Sequence, residues 1–393
     1  MTHLRRDFLA VLAVACLFSF RLPLAADEVD EQLKTISRVG LQGQGSAEAR
    51  LARDRLTKRG PAILPRLLAA MDSKNVIAGN WYRTVYEEII ARELARSRPQ
   101  LPTEFFKKYV NDAKRPGRVR RLLLELLDRI EPKYSAGFLP GQLGDPEFRQ
   151  EAVDLALARG DAARKNDRLA EAAEAYDLAF RSARDSAQLT RAALSLRQVG
   201  REVSVVDQMG FLIDWYLIGP FDAPGFSGLE TSFPPETRIN LTASYTGKGG
   251  GTIVWERHQS SDLLGQLNLI QAIAAVKEAV GYAYTVVESP RDQAVELRCG
   301  ADDNCTVWLN GEKIFARGQW LNGTRLDRFT APARLRNGKN TVLVKICQGP
   351  QHKNPAVPNN WSLQLRFCDA EGASVGLKSA LPPTDGEKAT SQR

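Results

Sequence analysis

Between Trp361 and Cys368, the apolar residues Trp361, Leu363, Leu365 and Phe367 alternate with Ser362, Gln364 and Arg366. A period of two gives a strand one core face and one water face. Similar short segments run through Phe211–Ile218, Thr252–Glu256, Ala283–Val287, Ala294–Cys299, Cys305–Leu309 and Thr341–Cys347. Gly219-Pro220 is expected to stop the first of them. Asn310-Gly311 accepts positive φ at both positions of a type I′ turn, which makes Val307–Ile314 a tight hairpin. Many short strands between turn signals predict an antiparallel β-sandwich or jelly roll.

Before residue 205 the period lengthens. Arg120–Ile130 carries a broad apolar helical stripe, and Pro61–Met71 reads as a helix with Pro61 in its opening turn. Glu151–Ala158, Leu169–Ser182 and Ala187–Val199 continue the series, with Gly200 placed to close the last. Helices separated by short Gly, Pro or Asp breaks predict stacked antiparallel pairs, a solenoid-like α-helical repeat region. Leu56–Leu94 resembles a HEAT-type pair, and Ala162–Phe180 resembles half of a tetratricopeptide unit. A small irregular bundle is the alternative. The chain therefore reads as multidomain, α then β: a leader at 1–26, a helical region at 27–204, a sandwich at 205–372 and a disordered tail at 373–393.

The leader changes where the protein is placed. Arg5 and Arg6 precede an apolar run from Phe8 to Phe20, and Leu24-Ala25-Ala26 ends it with small residues. The run is short of the roughly 20 residues needed to span a bilayer. This is the form of a cleavable signal peptide, and the arginine pair resembles a twin-arginine export signal. The mature protein is expected to be secreted or periplasmic, with no transmembrane segment. Formal net charge is +8, with 25% charged and 43% apolar residues. Spread over this length, that charge does not read as a nucleic-acid protein. The densest basic stretch, Lys107 to Arg121, reads as solvated helix ends or as a contact for an anionic polymer.

Several segments together carry a family resemblance: Trp215–Phe221, Ala283-Tyr284-Thr285, Val295–Leu297 with Asp302-Asp303, Val307–Gly311, Asn340–Lys345 and Trp361–Arg366. In this order they resemble the galactose-binding-domain-like β-sandwich, over about residues 205–370. That family includes carbohydrate-binding modules, and its form here is similar to modules that follow helical repeats in secreted multidomain bacterial proteins. The resemblance implies a binding module rather than a particular ligand.

Catalytic motifs are sparse. Past the leader the chain carries His258 and His352, neither within a nucleophile motif, and no phosphate loop or His-Glu-Xaa-Xaa-His pattern occurs. A non-enzymatic reading follows, with a glycoside hydrolase as the third choice behind a glycan binder and a protein-only structural adaptor. Sugar binding wants an aromatic platform beside hydrogen-bonding side chains. Trp320, with Asn322, Arg325 and Asp327, and the polar loop of His352 and Asn360, are the candidates. Trp215 and Trp361 read as core, and Trp308 points outward. Asp302, Asp303 and Asp327 read either as turn formers or as oxygen ligands for Ca²⁺. No other cofactor is called for. Cys299 and Cys305 flank a turn and are the pair named for a disulfide. The expected partner is a polysaccharide or glycan, with the helical region as spacer or as a surface for another protein.

Overall fold

The computed structural model describes residues 24–382 apart from 319, 321, 322 and 355, so positions 1–23 of the expected leader and positions 383–393 lie outside the described residues. The chain divides into two compact units, one running to Gly137 and one from Phe138 onward.

The first unit is helical: α1 (Leu24–Ser37), α2 (Ser46–Thr57), α3 (Leu64–Ala70), α4 (Val76–Leu94), α5 (Thr103–Asn111) and α6 (Gly117–Ile130). The stripe foreseen in α6 buries Val119, Leu123, Leu124, Leu126 and Leu127. Asn75 starts α4 by accepting from the Ile77 and Ala78 amides, satisfying donors that the first turn leaves free. Pro61 opens a single 3₁₀ turn ahead of α3. The basic stretch is largely consumed locally. Lys107 pairs with Glu104 and Glu131 at 3.1 and 2.8 Å, and Arg115 pairs with Asp112 at 3.2 Å. Arg120 is buried on the Val110 carbonyl at 2.8 Å. These pairings favour the helix-end reading over an anionic-polymer contact. A short α7 (Tyr134–Phe138) closes this part. Among the described residues no helix is long and apolar enough to cross a membrane.

The second unit opens with α8 (Arg149–Lys165), α9 (Leu169–Ser182), α10 (Ser186–Gln198) and α11 (Val205–Met209). Gly160 in α8 lets Tyr176 of α9 lie on the helix backbone; a Cβ there would sit 2.5 Å from the ring. Gly200 follows α10 at φ +78°, donating to the Arg197 carbonyl, as expected of a left-handed cap.

The strands are β1 (Asp214–Asp222), β2 (Ser244–Thr246), β3 (Thr252–Val254), β4 (Glu256–Gln259), β5 (Leu267–Asn268), β6 (Ala279–Ser289), β7 (Gln293–Asp302), β8 (Asn304–Leu309), β9 (Glu312–Ala316), β10 (Phe329–Leu335), β11 (Gly338–Gln348), β12 (Ser362–Cys368) and β13 (Lys378–Ser379). A seven-stranded sheet runs β4-β1-β6-β11-β8-β9, with β13 also on β6, and a four-stranded sheet runs β10-β7-β12-β5. β2 and β3 form a separate ribbon. Every pairing is antiparallel. The two larger sheets share one core, in which Leu297, Leu363, Leu365 and Phe367 of the small sheet meet Ala283, Val307, Val344 and Ile346 of the large one. This is the sandwich expected from the alternation. Trp215 and Trp361 are buried in that core, and Trp308 packs on the opposite face of the large sheet.

Four details differ from expectation. β1 does not stop at Gly219-Pro220; it continues to Asp222, with its register on β6 broken between Ile218 and Phe221. The polar face of β12 is not wet, because Arg366 donates to the carbonyls of Met209 and Gly372 and Gln364 donates to that of Leu264. Residues 373–382 are not a loose tail. Lys378 and Ser379 pair with β6, and the Tyr216 hydroxyl donates to the Pro382 carbonyl at 2.7 Å. Finally, Cys299, Cys305, Cys347 and Cys368 are all free thiols, so the expected Cys299–Cys305 bridge is not formed. The two residues do not flank a turn within one sheet. Cys299 lies in the small sheet and Cys305 in the large one, and both are buried in the core the sheets share.

Candidate functional site

The register gathers one set of strand ends at a common rim. Gln348 at the end of β11 pairs with Ala279 at the start of β6, Cys347 with Asn304 at the start of β8, and Ser362 at the start of β12 with Asp302 at the end of β7. Three connections therefore emerge side by side: 223–229 after β1, 317–328 between β9 and β10, and 349–361 between β11 and β12. Between them lies a cavity of about 560 Å³, lined by Phe226, Lys277, Asp302, Asp303, Trp320, His352 and Asn360 among others.

Its floor is an acid pair. Asp302, 1% exposed, ends β7 and Asp303 begins the crossing to the large sheet. Asp302 Oδ2 accepts from the Gly323 amide and Asp303 Oδ2 from the Gly349 amide, each at 2.6 Å. Each carboxyl thus holds a different rim loop. Burial pushes the Asp302 carboxyl up to about 7, aided by Asp303 beside it and opposed by the Gly323 amide and the charge of Lys277.

Its wall is aromatic. Trp320 is half-buried and Phe226 is 61% exposed, their rings edge to face with centroids 4.9 Å apart. Two glycines permit this arrangement. A Cβ on Gly349 would stand 3.1 Å from the Trp320 ring, and a Cβ on Gly300 would stand 2.2 Å from the Arg325 carbonyl oxygen. Thr324 and Arg325 consequently lie directly on the end of β7. The third side is polar: Gln348 donates to the Asn359 side chain and to the Asn360 carbonyl at 2.9 Å each, fixing the base of the 349–361 loop. Lys277 donates to Gln348 at 3.3 Å, and exposed His352 accepts from the Asn354 amide at 3.0 Å.

Of the residues singled out from sequence, Trp320, His352 and Asn360 do come together, joined by Asp302 and Asp303. Arg325 is exposed and meets the sheet through its backbone carbonyl, so it is not part of the lining. Asp327 is engaged elsewhere: its carboxylate is gripped by Arg366, with Nε to Oδ1 at 2.9 Å, and lies 3.5 Å from Arg298. Asp302, Asp303 and Asp327, named together as oxygen ligands for Ca²⁺, are therefore not gathered at one point, because a buried guanidinium claims the third carboxylate. Among the described residues no three potential metal-binding side chains gather. Asn322 falls outside the described residues. Phe226 and Lys277 were not foreseen. Phe226 follows Pro224-Gly225, and an aromatic just past a Pro-Gly turn is the signal that could have marked it.

No family model and no curated protein matches the chain. Similar solved structures include a family 35 carbohydrate binding module from an environmental isolate, at 10% identity over 26% of this chain and 72% of that one, TM-score 0.19. Another is a PA14 sugar-binding domain from an RTX adhesin, at 13% identity over 43% and 91%, TM-score 0.20. A third is a GH2 β-galacturonidase from Eisenbergiella tayi, at 7% identity over 40% and 25%, TM-score 0.22. Likenesses this slight carry no weight for the ligand of the pocket.

Proposed function

We propose that the protein binds a saccharide in the rim pocket of its sandwich, as an exported, non-catalytic glycan-binding protein. The observation that carries this reading is the half-open Trp320–Phe226 wall facing fixed hydrogen-bonding groups within one cavity. A mostly apolar, aromatic lining with a few well-placed polar groups is the usual make-up of a small-molecule site. An aromatic face takes up the C–H side of a sugar ring while carboxyl and amide groups meet its hydroxyls. Binding is favoured over hydrolysis because Asp302 and Asp303 are chain neighbours, each held by a backbone amide, whereas glycoside cleavage uses two carboxyls set across a cleft from one another. Export rests on the leader pattern, and the helical unit serves as spacer or as a surface for a protein partner.

The test is titration of the full chain with a panel of oligosaccharides, for wild type and Trp320→Ala. Saccharide binding that weakens at least about tenfold on removal of the indole, a loss of about 1.4 kcal/mol, supports the pocket. Wild-type binding that the substitution leaves intact moves the site elsewhere, and no binding across the panel rejects the proposal.

A further inference from the structure

We infer, on the saccharide reading of this pocket, that Glu278 is a positioning residue of the site. It holds the turn that presents Phe226, so that the ring stands against Trp320. Glu278 lies between Lys277, which lines the cavity, and Ala279, which begins β6. Its backbone is left-handed, at φ +52°, a region that side chains other than those of Asn and Asp seldom enter. Three segments reach it there. Its amide donates to the Gly349 carbonyl at 3.1 Å, and its carbonyl accepts from the Ala223 amide and from Lys248 Nζ, each at 3.0 Å. Its carboxylate accepts from the Gly225 amide at 2.7 Å. One residue thus joins the 223–229 and 349–361 connections, which carry Phe226 and His352, to the start of a strand in the large sheet.

The carboxylate grip falls next to the ring. Gly225, itself left-handed at φ +62°, immediately precedes Phe226. Past Phe226 the turn is seated a second time: Lys345 Nζ donates to the Leu229 carbonyl at 3.3 Å, and a Cβ on Gly228 would stand 3.0 Å from the Val280 side chain. Between these anchorages Phe226 projects with 61% of its surface exposed, its ring centroid 4.9 Å from that of Trp320. A ring this open contributes little buried area to the fold, so its placement matters chiefly to what enters the cavity. Glycine would take the left-handed backbone at position 278 without steric cost. Glutamate meets that cost and supplies what glycine cannot, a charged acceptor for the Gly225 amide, which makes a hydrogen bond of the stronger class. The strained backbone and the carboxylate therefore belong to one device that sets the aromatic wall.

The test is a double-mutant cycle on the full chain, read by calorimetric titration. The probe is the tightest-binding member of a set of cello-, xylo-, manno- and galacto-oligosaccharides and oligogalacturonates. Phe226→Ala should weaken binding about tenfold. Glu278→Gly, which drops the acceptor yet suits the backbone, should weaken it about fivefold or more. Glu278→Gln, which keeps an acceptor, should stay within about twofold of wild type. In the Phe226→Ala background Glu278→Gly should change affinity by less than about twofold, because the ring it places is gone. A residue that serves only the fold would weaken both backgrounds alike. Equal losses in the two backgrounds, a Glu278→Gln loss as large as that of Glu278→Gly, or no effect of either Glu278→Gly or Phe226→Ala overturns the inference. If binding in those cases still needs Trp320, the pocket reading stands without it; binding indifferent to Trp320→Ala, or none to any of the set, overturns both. Near-UV circular dichroism checks that the variants fold. Should Glu278→Gly not fold, Glu278→Asn takes its place in the cycle, a residue type at ease in the left-handed region whose side chain falls one methylene short of Gly225.

Discussion

Arg366 shows how far a residue's role departs from its place in a pattern. Alternation assigns it to the wet face of β12, yet its side chain is fully buried. The guanidinium meets both oxygens of Asp327, donates to the Met209 and Gly372 carbonyls at 3.1 and 2.9 Å, and lies over the Phe211 ring at 5.7 Å. Carboxylate and carbonyls satisfy its fork of donors, which is what makes burial of the charge tolerable. Replacing it with Ala should cost about 3–5 kcal/mol, because Asp327 would lose its close partner and two carbonyls would lose their donor. Urea denaturation measures this; a change under about 1 kcal/mol would show that water enters and replaces the guanidinium. The inward residues Leu363, Leu365 and Phe367 were legible in the sequence, since a period of two sorts side chains by face. It does not say what lies against either face, and so the cover over Arg366 was not legible.

Among elements, those whose geometry is local were the easiest to read. Asn310 and Gly311 take φ values of +53° and +82°, and β8 and β9 pair around them as the hairpin demands. The stretch Gly300–Asn304 is the contrary case. Its Gly, Asp and Asn residues read as a turn between neighbouring strands, but the chain there passes from the small sheet to the large one. That passage brings Asp302 and Asp303 to the rim, and it explains why Cys299 and Cys305 stand in different sheets around the shared core. Nothing local in the sequence encodes which sheet receives the next strand. Gly300 gives this element a direct test. Its missing Cβ is the space into which the Arg325 carbonyl fits, so Gly300→Ala must push Arg325, and with it the loop between β9 and β10, off β7. Overpacking of this kind costs about 1–3 kcal/mol. Trp320 rides on that loop, so saccharide affinity should fall by about tenfold or more. Equal affinity in a folded Gly300→Ala protein would mean that the loop's seat does not position the aromatic wall.

For the whole molecule, the change of composition near residue 205 and the division into compact units fall at different places. Helix and strand are distinguished by period, and the switch was legible for that reason. A compact unit is distinguished by shared burial, which period does not report. Leu157, Tyr176, Phe180, Leu189 and Leu196 of α8–α10 form one apolar cluster with Val205, Met209 and Phe211, and Leu264 and Leu326 of the sandwich pack against it. The sandwich therefore needs these helices, whatever the helices before Gly137 contribute. A fragment of residues 138–382 should unfold in one cooperative transition and retain the saccharide affinity of the full chain. A fragment of residues 205–382 would leave Phe211, Leu264 and Leu326 without their helical partners. That bares an apolar patch of the kind that drives association, and it removes stabilisation at about 25 cal/mol per Å² uncovered. Circular dichroism melts and size-exclusion chromatography of the two fragments separate the cases. Equal melting temperatures with both fragments monomeric would show that the sandwich is complete at residue 205 and that α8–α10 are an appendage. A broad or aggregating transition for the shorter fragment alone would place the folding boundary where the apolar cluster ends, ahead of α8.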